Sequence, residues 1–236
     1  MIPSTAKVLR PYNPISSNEE RGSFSLLVKI YPGGKAGTYV DGLRAGDAVA
    51  FKQTKGNVKK FRHPFRNAKT GAPVTHITML AGGTGIAPML QALHPILAAG
   101  HGPDVRLLYG NRGMRDIMLR AELDRLQERH PNRLRVHYVV GEADDAADDG
   151  EGDAVCRDGD ADGACADPAY ERGWINEEKV RRLGFPPAAD GSSVVWICGV
   201  DAMYVSLAGS RAKPVAAGTP VHNLGFSDKD DTVWRS

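Results

Sequence analysis

Cysteine is scarce in this chain: Cys156, Cys165 and Cys198 are its three, and no two of them form a CxxC pair. That spacing argues against a zinc site or a redox dithiol and makes a reducing compartment the default. Long apolar runs are also missing. No stretch approaches the roughly 18 to 20 apolar residues that a membrane-spanning helix needs, and the opening MIPSTAK has no apolar leader core. Charge of one sign is not in excess either. Thirty basic residues against 28 acidic ones give a formal charge of +2, so no global field points to nucleic acid. The HExxH, GxSxG and CxxCH patterns are absent, which leaves a zinc hydrolase, a serine hydrolase and a built-in cytochrome without support. The expectation is a soluble chain with no metal ligands and no membrane segment.

What is present is enough apolar material for real cores. The 236 residues are 42% hydrophobic, sufficient for one large domain or two modest ones. FSLLVKIY (24–31) and DAVAFKQT (47–54) are short and rich in β-branched and aromatic residues, and the glycine-rich PGGKAGTYVDGLRAG separates them. They read as antiparallel strands. From residue 74 the pattern changes to the buried-strand runs VTHITML, VRLLYG, LRVHYVV and SVVWIC, alternating with helical periodicity over Ala87–Ala98, Asp116–Arg129, Asn176–Leu183 and Asp201–Arg211. Such alternation means a parallel sheet covered by helices. Asp116 is expected to cap its helix, and Pro95 to kink or shorten its own. The polar, proline-containing HPFRNAKTGAP sets a boundary near residue 70. The organisation expected is a β-rich domain over 1–70 and an α/β domain over 71–236.

Charge is uneven along the chain. Lys52, Lys55, Lys59, Lys60, Arg62, Arg66 and Lys69 fall in a stretch with no acid, whereas residues 142–167 are crowded with aspartates. The acidic segment is too poor in apolar surface to order itself and reads as a surface insertion. Its Asp158, Asp160, Asp162 and Gly163 imitate the start of a calcium loop, but position 12 is Ala169, so a calcium site is not expected.

Three segments can carry chemistry. AGGTGIAPML (81–90) follows a buried strand and opens a helix. Glycines there let backbone approach a pyrophosphate, and the helix start stabilises its charge. Taken alone, such a turn needs glycine whatever it binds. RPYNPIS (10–16) is kept extended by two prolines and places Arg10 and Tyr12 on one face, a fork of donors for a diphosphate beside a ring that can border a planar group. ICGVDAM (197–203) lies where another parallel strand passes into a helix, on the side where ligands collect in open α/β sheets. Cys198 there is either at a ligand or simply a small packing residue.

Taken in order, RPYNPIS, LLVKIY, PGGKAGTY, AGGTGIAPMLQ, YGNRGMRDIMLRAELDRL, GWINEE, ICGVDAM and the terminal LGF and VWRS resemble the NADH-cytochrome b5 reductases, within the ferredoxin-NADP reductase-like flavoenzymes. The resemblance implies a partial antiparallel FAD-binding β-barrel followed by a parallel-sheet, nicotinamide-nucleotide-binding α/β domain. It assigns Arg10, Pro11, Tyr12 and Asn13 to the flavin motif, and Leu27, Lys29 and Tyr31 to the next flavin-contacting strand. Gly34, Lys35, Ala36 and Gly37 match the turn that holds the FAD diphosphate. Gly82, Gly83, Thr84, Gly85 and Pro88 match the nicotinamide-nucleotide turn, and Cys198, Gly199 and Met203 the segment beside the nicotinamide ring. Asn13, Thr84 and Cys198 are then the residues nearest the reacting atoms.

The implied reaction is hydride transfer from NADH to FAD, followed by single-electron transfer to an acidic haem protein such as cytochrome b5. The basic residues from Lys52 to Lys69 would steer that acceptor. The implied setting is the cytoplasmic side of the endoplasmic reticulum or mitochondrial outer membrane, with any anchor upstream. Family members carry several dozen residues before the flavin motif, here preceded by nine, so the first barrel strands are expected to be missing. Asn13 stands for the usual Ser or Thr, Gly37 and Thr38 alter the usual turn, and Val200 and Asp201 replace prolines. Gly141 replaces an aspartate that disfavours NADP, leaving NADPH open beside NADH. The alternatives are a same-fold reductase for another acceptor, of nitrate reductase or ferredoxin-NADP reductase type, and an inactive nucleotide-binding remnant.

Overall fold

The computed structural model describes residues 10–17, 19–51, 65–141, 170–230 and 233–235. Four of the six strands come from runs whose side chains are hidden on both faces or nearly so. In β1 (His76–Gly82) every residue from Ile77 to Ala81 is buried, as in a strand covered by helices on both sides. Around it lie β2 (Asp104–Asn111), β3 (Leu134–Val140), β4 (Tyr170–Arg172), β5 (Ser193–Cys198) and β6 (Val233–Arg235), in the order β4-β3-β2-β1-β5-β6. All the pairings are parallel. The central strand β1 pairs His76 with Asp104 on one side and with Ser193 on the other. The chain leaves β1 toward β2 and later returns past it to β5, so the carboxyl ends of β1 and β5 flank the point where strand order reverses.

Helices fill both faces. Ile77, Met79, Leu107, Tyr109, Val136 and Tyr138 face α2 (Ile86–Ala98) and α3 (Arg120–Arg129). Leu80, Leu108, Val139, Val195 and Ile197 face α4 (Glu177–Leu183), α5 (Asp201–Leu207) and α6 (Pro220–Asn223). Asn176 caps α4 by accepting from Lys179 N at 2.9 Å, and Glu177 and Glu178 lie in the turn where the helix dipole favours acids. Pro95 does not shorten α2, which continues to Ala98. The C-terminal carbonyls of α2 are gathered instead by Arg133, whose guanidinium donates to Ile96 O at 2.7 Å and Ala99 O at 2.5 Å.

Residues 10–51 form the smaller part. An antiparallel bridge joins Pro14 to Leu26, and Ile15 N donates to Ser25 O at 2.9 Å. The strands expected over 24–31 and 47–54 are not formed as ladders among the described residues, which leave out 52–54. The glycine-rich stretch between them contains a helix, α1 (Lys35–Asp41), with Gly34 as its N-cap. This part docks on the α2 face of the sheet. Ile15 and Leu27 pack against that core, and His94 Nε2 meets Ile15 O at 3.0 Å.

Asp116 does not cap a helix as the sequence suggests. It ends a short 3-10 turn (Met114–Asp116), and α3 begins four residues later behind Leu119. Leu119 has φ 61°, the left-handed region that an L-residue with a bulky side chain rarely takes. The acidic insertion, its calcium-loop imitation, Cys156 and Cys165 lie outside the described residues.

Arg133→Met is expected to lower stability by about 2 kcal/mol, because hydrogen bonds from a charged donor to helix-end carbonyls are worth about 1.5–3 kcal/mol in part-buried settings. Urea denaturation monitored by far-UV circular dichroism measures it.

Candidate functional site

The carboxyl edge of the sheet is built from backbone brought unusually close. After β1 the chain turns through Gly83–Gly85 into α2, and the turn presses on the end of β5. A Cβ placed on Gly85 would stand 2.0 Å from Cys198 O, and one on Gly82 or Gly199 would stand 2.6 or 2.5 Å from Met203 Sδ. Gly83 adopts φ 52°, a turn that glycine takes without steric cost. Gly82, Gly83, Gly85, Cys198, Gly199 and Met203, far apart in sequence, therefore share one small surface. Thr84 sits within the turn, and Pro88 in the first turn of α2. No side chain caps α2, and its first turn holds no acid, so the positive end of its dipole has no anion from its own first turn.

Tyr109 holds the turn from below. Its hydroxyl donates to Gly83 O at 3.1 Å, and burial raises its pKa well above the ordinary tyrosine value, so it stays a donor. Tyr204 supports the other side, donating to Ile197 O at 3.0 Å, and burial likewise raises its pKa.

Lys29 reaches across from the smaller part. Its ammonium lies 2.6 Å from Asp116 Oδ1 and 5.8 Å from the centre of the Tyr31 ring. The hydrogen bond from Lys29 is the main reason that the Asp116 carboxyl is held below its ordinary pKa. Sequence reading assigned Lys29 to the flavin and Asp116 to a helix cap, and missed that the two meet.

The other expected flavin contacts are more open. Arg10, Pro11, Tyr12 and Asn13 are exposed, as is Tyr31, while Leu27 and Lys29 are half-buried. Gly34 N donates to Tyr31 O at 3.0 Å, so Lys35, Ala36 and Gly37 begin α1 directly behind Tyr31. The exposed Tyr31 ring beside Lys29, and the exposed Tyr12 ring, suit a planar, electron-accepting group. The backbone-lined edge at Gly82–Gly85 suits a pyrophosphate and an adjoining flat ring. The residues present therefore fit both groups.

Of the basic residues proposed to steer an acceptor, 52–64 lie outside the described residues, while Arg66 donates to Gly71 O and Lys69 to Lys229 O. Gly141, at the end of β3, lies under the exposed Trp174, and a Cβ there would meet the indole at 3.0 Å. Glycine at 141 is thus tied to a local packing partner. Asn111, at the end of β2, was not anticipated, although a polar residue closing the buried run VRLLYGN is a visible signal.

Known proteins carry the same two parts. Residues 2–60 match the family described as an oxidoreductase FAD-binding domain, and residues 79–162 match the oxidoreductase NAD-binding domain. The chain is therefore an oxidoreductase with FAD and a nicotinamide nucleotide as its cofactors. It is 32% identical over 232 residues to NADH-cytochrome b5 reductase 2 of Saccharomyces cerevisiae, covering 96% of this chain and 67% of that one. The same protein of Yarrowia lipolytica is 32% identical over 237 residues, covering 96% and 69%. Among solved structures, the cytochrome b5 reductase domain of Ulva prolifera nitrate reductase superposes with TM-score 0.72 at 28% identity, covering 98% of this chain and 80% of that domain. The chain belongs to the NADH-cytochrome b5 reductase family and spans about two thirds of the length of those two relatives. The fold expected from sequence, an FAD-binding part followed by a parallel α/β nucleotide-binding part, stands.

Two substitutions probe this geometry. Gly85→Ala puts a methyl against an immovable carbonyl and is expected to cost about 2–3 kcal/mol, whereas Gly100→Ala, which meets open space, should stay within about 0.5 kcal/mol; denaturant melts compare them. Asp116→Asn is expected to remove about 0.5–1 kcal/mol near neutral pH, the modest value reflecting side chains about one-third exposed. Because the folded pKa of Asp116 is depressed, that contribution is present above its unfolded pKa and is lost as pH falls through the folded one. The wild-type and Asp116→Asn stability curves should therefore converge in acid.

Proposed function

We propose that this chain takes hydride from NADH onto FAD and passes single electrons to a haem protein such as cytochrome b5. The observation that carries the reading is the convergence of Gly82–Gly85 with Cys198, Gly199 and Met203 at the switch point of the sheet. The relatives named for NADH and cytochrome b5 support the same donor and acceptor. Bound FAD supplies the exchange between a two-electron donor and a one-electron acceptor, which no side chain can perform.

The residues of the chain bind and align. Backbone N–H groups at the start of α2 take the pyrophosphate, with Pro88 costing no intrahelical hydrogen bond in that first turn. Gly82, Gly85 and Gly199 keep the floor flat so that the nicotinamide ring can lie against it, bordered by Thr84, Cys198 and Met203. Arg10 and the Gly34–Gly37 backbone would hold the FAD diphosphate, and Tyr12, Leu27 and Tyr31 would line the flavin. Asn13 donates a hydrogen bond toward the reacting edge. Lys29, held by its ion pair with Asp116, would border the flavin beside Tyr31. Pro11 keeps the segment before Tyr12 extended.

The acceptor is proposed to be acidic, and the setting the cytoplasmic side of the endoplasmic reticulum or mitochondrial outer membrane. No helix among the described residues is long and apolar enough to cross a membrane. A second reading, favoured by the Ulva prolifera likeness, is a reductase module that delivers electrons to another acceptor within a nitrate reductase-like enzyme.

The visible spectrum of the purified chain with added FAD, followed by anaerobic titration with NADH and with NADPH, tests the proposal. Retention of flavin and loss of its band near roughly 450 nm on adding NADH are expected, with cytochrome b5 then reoxidising it. Retained flavin that NADH does not bleach would overturn the hydride step. Bleaching without electron transfer to cytochrome b5 would favour the second reading.

A further inference from the structure

Tyr109 is fully buried, and its hydroxyl is the meeting point of two segments that lie apart in the sequence. It donates to Gly83 O at 3.1 Å, inside the glycine turn. Burial is the main reason that its pKa is raised; hydrogen bonds accepted from the Met118 backbone and the Asn111 side chain act against that rise, and the Asp116 carboxylate adds to it. One oxygen is thus tied to the turn on one side and to segment 112–119 on the other. A phenylalanine would fill the same space in the core, so packing alone does not account for the hydroxyl.

Segment 112–119 has two ways to settle. In the structure Asp116 ends a 3-10 turn, and its carboxylate takes the Lys29 ammonium at 2.6 Å, a bond from one part of the chain to the other. The strain this leaves is visible three residues on. Leu119 stands at φ 61°, the one non-glycine residue with positive φ among the described residues, and as N-cap of α3 it offers no side-chain hydrogen bond. In the other arrangement Leu119 is helical and Asp116 caps a longer α3, the role that an aspartate suits. A strained backbone persists only where surrounding contacts impose it. Two contacts do so here: Lys29 holds Asp116, and Tyr109 holds Met118.

We propose that Tyr109 is a positioning residue that couples the glycine turn to the Lys29–Asp116 ion pair through segment 112–119. The inference rests on the nicotinamide-nucleotide reading of that turn. A dinucleotide seated on Gly82–Gly85 fixes the Gly83 carbonyl, the carbonyl fixes the Tyr109 hydroxyl, and the hydroxyl keeps Met118 out of α3, so that Asp116 stays with Lys29. Release at either end lets Leu119 relax and Asp116 turn back to cap α3. Such coupling is reciprocal: what the ion pair gains from the nucleotide, the nucleotide gains from the ion pair. Tyr204 is the internal comparison. It too donates to a backbone carbonyl, Ile197 O at 3.0 Å, but on the opposite face of the sheet from Tyr109 and Ile117.

The test is a double-mutant cycle read by calorimetric titration of the FAD-loaded full chain with NAD+, with circular dichroism checking that each variant is folded. Tyr109→Phe and Asp116→Asn are each expected to weaken NAD+ binding about fivefold, in line with the loss of one hydrogen bond. Because a relay broken at either link loses the same coupling, the double variant should also be about fivefold weaker, whereas independent losses would multiply to about 25-fold. Lys29→Gln, which breaks the same ion pair from the other part, should combine with Tyr109→Phe in the same non-additive way. Tyr204→Phe and Asp116→Asn should instead multiply. Unchanged NAD+ affinity in Tyr109→Phe, or multiplication of the Tyr109→Phe and Asp116→Asn effects, overturns the inference and leaves the hydroxyl a brace for the turn alone. Non-additivity with both tyrosines overturns it too, because general loosening then replaces a specific relay. If the wild-type chain itself binds no NAD+, the functional reading falls and this inference with it.

Discussion

At one place in the molecule only hydrogen fits between two strands' ends: the approach of Gly85 to the carbonyl of Cys198. The distance fixes how β1 hands over to α2 and where β5 stops. Because β1 is hydrogen-bonded on both sides, a displacement there would be passed to β2 and β5 alike. Buried tyrosines on the two faces, Tyr109 and Tyr204, brace the arrangement through backbone carbonyls. A flat, backbone-lined edge is the result, and it is an edge that any larger residue at 82, 85 or 199 would fill.

The smaller part meets that edge through few contacts of different kinds. Ile15 and Leu27 supply apolar packing, His94 a hydrogen bond to Ile15 O, and Lys29 an ion pair to Asp116. None of these is large, and the ion pair is partly screened by solvent. Their value lies in orientation: Lys29 and Tyr31 belong to one part, Asp116 and the glycine turn to the other. Two groups that must exchange electrons are better served by fixed geometry than by tight association.

Legibility in the sequence followed the reach of the forces involved. The strands β1, β2, β3 and β5 were readable because a strand covered on both faces must be apolar almost throughout, as ITMLA in β1 is. The short β4, YER, has no such signature and exists because β3 offers it an edge. Residues 24–31 carry strand propensity but find only the Leu26 bridge among the described residues. The helix α1 was hidden in a stretch whose glycines read as a connection. Asp116 has the composition of a helix cap, and only a lysine 87 residues away explains why it is elsewhere. The glycines of the site were visible as a motif, but their closeness to Met203 and Cys198 is tertiary and cannot be read from spacing. The joint order of the motifs carried the family, which single motifs did not.

The pairing of His76 with Asp104 on one side and with Ser193 on the other has a consequence for synthesis. As the chain leaves the ribosome, β1 can dock with α2 and β2 almost at once. Its other edge waits for a partner encoded more than a hundred residues later, on the order of ten seconds at ordinary elongation rates. For that interval an apolar strand presents an unpaired row of backbone groups. The order of synthesis is thereby also the order of pairing: β1 gains its β2 edge first and its β5 edge last.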